Sequence, residues 1–577
     1  MKMDYRLKNI DIVIQLLKEN GLNQIVISPG GTNIAFINKV QDDPFFTCYS
    51  VVDERSAMYF AIGLFLQTGI PVVTSCTSAQ ATRNYIPGLT EAFYKKVPIL
   101  AITMAKHPRF TYQEYMQAPD QTSLPRDCVK YSYSLPFVSD ENDIYHSIRV
   151  ANQAILELTH HGSGPVQLCI PWLDFPLASI EPKIRKIKKY SIEDKWKVNF
   201  NEKKIMLIIG EHRPFENREI DVIEKFSEKF DVMIYTNHLS NYHGKYTINA
   251  NLAMLTLEVD EFNKHYKPDI IISISGQTGD YPLYNMISRV ELNDVEHWRI
   301  SEEGNVVDTY DKLTKIFECS IFRFFSYVND NCDYEKNLDH EYFHRWLTLV
   351  NRLIYRDRFP FSHVSIARYL SNIIPSKSII QFSILNSLRI WSFFDLDPSI
   401  QCYSNVGAFG IDGGLSTLIG QSMIVNDLCF MITGDLAFFY DMNSLGIRHI
   451  KNNLRILLVN NNGGIEFKLG NVNNKSFDRY IAAAGHFSNA SGWAETCGFL
   501  YLSANNEEDF RSKSKKFVSI SDAPIIFEIF VSDTDEACAY NQLIGDNKKN
   551  NFTSIMKSNI KEVLNSNVVN KIKDIIR

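Results

Sequence analysis

Asp435 and the run Asn460-Asn461-Asn462-Gly463-Gly464 are the residues whose types and spacing first suggest chemistry. Asp435 follows the apolar run DLCFMIT, so it falls at the C-terminal end of a strand, where doubly wound sheets bind ligands. FFYDMNSLGIRHIKNN reads as a helix and LRILLV as the next parallel strand, which lays the two strand ends side by side. A carboxylate, a neutral amide oxygen and a glycine carbonyl make a hard-oxygen set suited to Mg²⁺ carrying a diphosphate. A helix start just after Asp435 can also receive phosphate. The same residues equally make an Asn-Gly turn after a buried strand, and the stretch alone does not choose.

A second carboxylate stands out in VVDERSAM, where Glu54 ends a strand-like run and opens a long apolar helix. On its own it reads as a helix N-terminal charge. The elements that must position these groups repeat one logic. NQIVISPGG, PVVTSCTSAQA and VPILAITMA are strand-then-turn segments, separated by helical patterns such as ERSAMYFAIGLFLQTG. KIMLIIGEHRP and KPDIIISISGQTGDYPLY repeat it further on, and a third unit runs from SHVSIARYLSNIIPSKSIIQF to DAPIIFEIFVSDTD. The fold expected is α/β: three consecutive doubly wound domains with mainly parallel sheets, over 1–180, 199–335 and 336–542. The charged segment 181–198 reads as a linker, and 543–577 as an added helical tail.

A chain of 577 residues needs more than one core. Its formal charge of -6 provides no basic field for nucleic acid, and no apolar run reaches the roughly 18 residues of a membrane span. Ten cysteines without a CxxC pair suggest reduced thiols and a cytoplasmic protein. HEYFH, His340 to His344, matches a zincin pattern but lacks a third ligand, and reads as a polar helix face. His160 and His161 read as a helix C-terminal region. There is no GxSxG elbow, no Walker lysine and no GxGxxG after the first strand.

VISPGGTN, VVDERSAMYFAIGL, CTSAQATRNYIPGLTEA, GPVQLCIPW, SNVGAFGIDGGLST and GDLAFFYDMNSL…VNNNGG occur in the order seen in thiamine-diphosphate-dependent enzymes. The chain resembles that family, and within it the menaquinone-pathway succinyl-enolpyruvyl-hydroxycyclohexene-carboxylate synthases. The resemblance implies pyrimidine-binding, central and diphosphate-binding domains, with thiamine diphosphate and Mg²⁺ as cofactors. It implies that Asp435, Asn461 and Gly463 ligate the metal. Thr77, Ser387, Gly410, Ile411, Gly434, Leu436, Ala437 and Gly464 would join them around the cofactor, with Ile411 as the bulky wedge that bends it. Glu54 would be the catalytic acid, a carboxyl held neutral in an apolar pocket to bond the aminopyrimidine ring. Gln121 would be an active-site amide. In the family one subunit's glutamate faces a partner's diphosphate site, so a homodimer or homotetramer is implied.

The acceptor side departs from the family. Gly31-Thr32 stand where the relatives have Ser-Arg, Trp391 and Val406 stand at arginine positions, and Asp280-Tyr281 replace a Lys-Arg pair. Arg389 is near enough in sequence to compensate, and Glu466 puts a charge where the relatives are apolar. Each lost arginine removes a charge-assisted partner worth about 1.5–3 kcal/mol. The expectation is a carboligase that decarboxylates a 2-oxo acid donor and passes the acyl unit to an unknown acceptor, less anionic than the menaquinone precursor. Thr32, Arg389, Trp391 and Glu466 would shape the substrate end. A simple 2-oxo acid decarboxylase and a silent cofactor-binding scaffold are the alternatives.

Overall fold

The computed structural model describes residues 8–172, 186–191, 193–196, 199–288, 295–332, 338–469, 477, 479–483 and 485–548. Apolar runs such as Ile205–Ile209, Ile270–Ile274 and Leu454–Asn460 are buried on both faces, which is the signature of parallel strands covered by helices. They assemble three parallel sheets. The first runs Thr47–Ser50, Gln24–Ile27, Val72–Cys76, Ile99–Lys106, Val166–Trp172, Tyr131–Ser134. The third runs Gln401–Ser404, Ile379–Phe382, Cys429–Gly434, Leu454–Asn460, Ile525–Phe530, Leu500–Ala504. In chain order both read second, first, third, fourth, sixth, fifth. Six strands with one connectivity, used twice, put two equivalent strand-end edges at the disposal of one ligand.

The central sheet has seven strands, and its edge is Lys188–Ser191, paired in parallel with Leu313–Glu318. The expected linker 181–198 therefore contributes a strand. Its mostly exposed positions suit a sheet edge, and its charges hid it in the sequence. A helix over 533–548 crosses the expected boundary at 543, and the rest of 543–577 lies outside the described residues. Among the described residues no helix is long and apolar enough to cross a membrane.

The first and third domains pack on each other within the chain. Ile481 is buried in the core of the first domain, Tyr480 Oη donates to Cys48 O at 2.9 Å, and Gln80 Nε2 donates to Asp412 Oδ2 at 3.2 Å. The central domain is tied to the third by Asn241, whose amide donates to Cys402 O at 2.9 Å and accepts from Cys402 N at 2.8 Å.

Candidate active site

Gly434 pairs with Val459 in parallel register, so Asp435 and the asparagine run do sit beside each other at one sheet edge. The helix after Asp435 is shorter than the sequence pattern indicates. It spans Asp435–Asp441 and tightens into a 3₁₀ turn over Met442–Gly446, where Gly446 interrupts the helical run. The three asparagines do three jobs. Asn460, fully buried, donates to Glu528 Oε1 at 2.7 Å and accepts from Asn462 N at 3.1 Å, which bends the chain. Asn462 takes the left-handed conformation, φ 63°, that asparagine tolerates. Asn461 is left with its Oδ1 buried and without a hydrogen-bond partner among the described residues.

Asp435 is 2% exposed. Its Oδ2 accepts from Asn461 N and Gly463 N, each at 3.1 Å, and its Oδ1 from Leu436 N at 2.7 Å. His486 Nε2 lies 3.1 Å from Oδ2. Asp435, Leu436, Asn461 and Gly463 line a cavity of about 520 Å³ between the first and third sheets.

On the opposite wall Glu54 opens the helix Glu54–Thr68, capped by Asp53, whose side chain accepts from Ser56 N at 3.1 Å. Gly69, φ 67°, ends it in a left-handed turn. Glu54 is buried, and burial pushes its carboxyl up to about 7 against the pull of two hydrogen bonds. These come from Tyr440 Oη at 2.6 Å and Asn84 Nδ2 at 3.3 Å. Asn84 also donates to Tyr440 Oη at 2.7 Å, so first and third domains fix the carboxyl jointly. Burial, and then Glu54, lift the Tyr440 phenol well above its ordinary range, which keeps it a donor. A carboxyl whose pKa is raised by burial to about 7 and a cluster of oxygen donors thus face one cavity.

Residues 8–124 match the family described as thiamine pyrophosphate enzyme, N-terminal TPP binding domain. The 2-succinyl-5-enolpyruvyl-6-hydroxy-3-cyclohexene-1-carboxylate synthase of Bacteroides fragilis is 31% identical over 554 residues, covering 92% of this chain and 97% of its own. That of Phocaeicola vulgatus is 32% identical over 546 residues, 91% and 95% of the two chains. The chain belongs to the thiamine-diphosphate-dependent enzyme family. A solved structure titled a putative thiamin diphosphate-dependent enzyme from Mycobacterium smegmatis aligns at TM-score 0.40 and 15% identity, covering 91% of this chain and 99% of that one, a likeness too loose to bear on function.

For a thiamine-diphosphate enzyme the cavity has the right polarity and the right openings. The orphaned Asn461 Oδ1 and the buried Asp435 carboxylate offer oxygens to a cation. A Cβ on Gly434 would meet nothing within 4 Å, so the backbone there is open to a ligand. Gly463 is held closely, since a Cβ would come within 3.1 Å of Ala482 O. Glu54, Thr77, Ser387, Gly410, Ile411, Gly434, Asp435, Leu436, Ala437, Asn461, Gly463 and Gly464 all line the cavity.

Gln121 does not. It is buried in its loop, where Nε2 donates to Met104 O at 2.9 Å, while Gln117 lines the cavity four residues earlier. Within this chain the Glu54 wall and the Asp435 wall line the same cavity. In the HEYFH segment His340 stands at the N-cap position of the helix Glu341–Val350 in a left-handed conformation, without a side-chain capping bond, and its Nε2 lies 3.4 Å from Tyr246 Oη.

At the substrate end Thr32, Arg389 and Glu466 line the cavity and Trp391 does not. Thr32 ties two loops, its Oγ1 lying 2.8 Å from Thr77 Oγ1 and accepting from Ser78 N at 2.9 Å. Trp391 is fully buried behind the wall, its indole N–H donating to His363 Nε2 at 3.2 Å. Burial holds His363 neutral, down to about 4. Val406 is core, and Asp280 is buried under the Tyr235 hydroxyl and pushed up by burial to about 6. Arg389 makes a two-pronged pair with Glu466, Nη1 to Oε2 at 3.0 Å and Nη2 to Oε1 at 2.9 Å. Burial opposes the Arg389 charge, yet Glu466 and Tyr540 hold its pKa above the ordinary arginine value.

Sequence reasoning missed Tyr440, Asn84, Gln117 and His363. Asn84 and Tyr440 lie inside the motif segments already singled out, CTSAQATRNYIPGLTEA and GDLAFFYDMNSL, and were readable there as polar residues near a turn of helix. His363 carries no local signal.

Proposed function

We propose that this thiamine-diphosphate-dependent enzyme is a magnesium-dependent carboligase of the cytoplasm, acting on a 2-oxo acid and an acceptor less anionic than a menaquinone precursor. The curated relatives are named as menaquinone-pathway synthases, but the substrate wall argues against carrying that activity over. Among the described residues lining the cavity the cationic side chains are Lys106 and Arg389, and Arg389 is already paired with Glu466. That pairing is the observation that carries the proposal, because a polycarboxylate would meet one engaged arginine and an added negative charge.

Asp435, Asn461 and the Gly463 carbonyl would hold Mg²⁺ and through it the diphosphate. Bound there, thiamine diphosphate would supply the electron sink for loss of CO₂ from a 2-oxo acid. Glu54 holds a proton near neutral pH at the far wall, and Tyr440 and Asn84 fix its orientation. Ile411 and Phe467 add apolar wall that keeps water away from the reacting carbon.

The test is CO₂ release from a panel of 2-oxo acids, with and without thiamine diphosphate and Mg²⁺, and with aldehyde, keto-sugar and amino-bearing acceptors. Cofactor-dependent release with a new C–C bond supports the proposal. A free aldehyde as sole product would make the enzyme a simple decarboxylase, and cofactor binding without release would leave a binding scaffold. Absence of cofactor binding would overturn the reading.

A homodimer or homotetramer is part of the proposal. The contacts between first and third domains can be made within a chain or reciprocally between two chains. Coexpressed Glu54→Gln and Asp435→Ala chains separate these: reciprocal docking returns about a quarter of the wild-type activity, since half the chains meet their complement and half of those sites are intact. No recovery from a dimer would leave each chain with its own site.

A further inference from the structure

Arg389 and Glu466 reach each other from elements on opposite sides of the Asp435 strand end. Arg389 lies on the helix Asn386–Trp391, after the strand Ile379–Phe382, and Glu466 on the turn Ile465–Phe467, after Leu454–Asn460. The strand Cys429–Gly434 runs between those two. The pair therefore closes over the cavity at the edge that carries Asp435. Both side chains face the cavity and keep part of their surface open to it, 19% for Arg389 and 23% for Glu466. Tyr540, on the helix 533–548, lies close enough to Arg389 to feel its charge.

An empty pair of this kind sorts ligands by charge balance. A lone carboxylate that takes Arg389 strips Glu466 of its cation and leaves a part-buried charge unpaired. A lone ammonium that takes Glu466 strips Arg389 in the same way. A ligand carrying both charges close together replaces one ion pair by two and strands neither group. The neighbours suit such a ligand, since Asn386, Asn285 and Tyr281 add neutral hydrogen-bonding groups to the same cavity.

We infer that the Arg389–Glu466 pair is the specificity element for an acceptor that carries an ammonium and a carboxylate of amino-acid type beside the carbonyl carbon to which the acyl unit bonds, its carboxylate received by Arg389 and its ammonium by Glu466. This rests on the carboligase reading and narrows its acceptor class.

The experiment measures binding of alanine, propanoate and propylamine, one three-carbon skeleton with both charges or either, to the protein loaded with thiamine diphosphate and Mg²⁺. Calorimetry or saturation-transfer NMR serves as readout. Alanine is expected to bind at least about tenfold more tightly than the other two. Glu466→Gln should reverse the order, with propanoate gaining and alanine losing about tenfold, and Arg389→Gln should favour propylamine in the mirror sense. Propanoate held elsewhere, for example at Lys106, would be indifferent to Glu466→Gln, so the variants isolate the pair. Equal binding of the three probes, no binding of any, or an order unmoved by both variants overturns the inference. The same titrations on unloaded protein keep the two readings apart: loss of cofactor binding sinks the carboligase, and an unmoved ligand order sinks the pair's role.

Discussion

The two ends of the cavity share a sheet edge and differ in how their charges are balanced. At the cofactor end Glu54, Asp412 and Asp435 are acids, and what steadies Asp435 is backbone N–H from Asn461, Gly463 and Leu436. At the substrate end the charge is closed upon itself, arginine to glutamate across 77 residues of sequence. An excess of oxygen donors is what a cation and a protonated ring contact require, whereas a neutral pair is indifferent until a ligand with the right charges opens it. On the proposed reading, one end suits a fixed ligand and the other chooses among ligands.

The comparison breaks most sharply at Glu54. Glu54→Gln should leave thiamine diphosphate bound while exchange of its C2 proton with solvent deuterium, followed by NMR, slows by roughly 10²–10⁴-fold. Undiminished exchange would return Glu54 to the status of a helix N-terminal charge. Asp435→Ala attacks the same end from the metal side. Magnesium-dependent activity should fall by about 10²–10³-fold, with cofactor affinity read by fluorescence quenching falling alongside it. If affinity stays at the wild-type value, the Asn-Gly run is a turn and nothing more.

At the other end the expected loss is smaller and of a different kind. Arg389→Ala should keep cofactor affinity and raise the KM for the acceptor by about 10–100-fold, the equivalent of one charge-assisted hydrogen-bonding group. A parallel loss of cofactor affinity would mean the two ends are not separable.

That division is also the division between what the sequence made legible and what it did not. Asp435, Asn461, Gly463 and Glu54 stood out by residue type and by their place at a strand end or helix start, and all four line the cavity. The three parallel sheets were readable from apolar runs. Lys188–Ser191 was not, because an edge strand with charged faces looks like a linker. The helix after Asp435 was read too long, since local periodicity continued past the Gly446 break. The Arg389–Glu466 pair depends on two loops meeting, which no local pattern encodes. Trp391 was placed in the cavity by alignment with an arginine, yet an indole is large and apolar enough to be drawn into the core behind it. Gln121 also lies outside the cavity, buried with its Nε2 donating to Met104 O of the strand Ile99–Lys106.

The smallest effect concerns how the Glu54 carboxyl is tuned, and it separates the ends by pH. Folding raises its pKa from 4.5 to about 7, with burial the main cause. Between those values the native state keeps a proton that the unfolded chain has lost, so stability is fully present below 4.5 and is lost as pH rises through about 7. The loss should total about 3 kcal/mol in urea unfolding of the cofactor-free protein, and Glu54→Gln should flatten that part of the profile. Tyr440→Phe sharpens the point. The phenol donates to Glu54 Oε2 at 2.6 Å and so favours the charged form. Without it the upper end of the window should move to higher pH by about one to two units, the worth of one hydrogen bond to a charged group. The same substitution leaves the Arg389–Glu466 pair untouched, and acceptor preference should not change. A shift to lower pH would mean that Tyr440 supports the neutral carboxyl instead, and the joint fixing of Glu54 by both domains would have to be redrawn around Asn84.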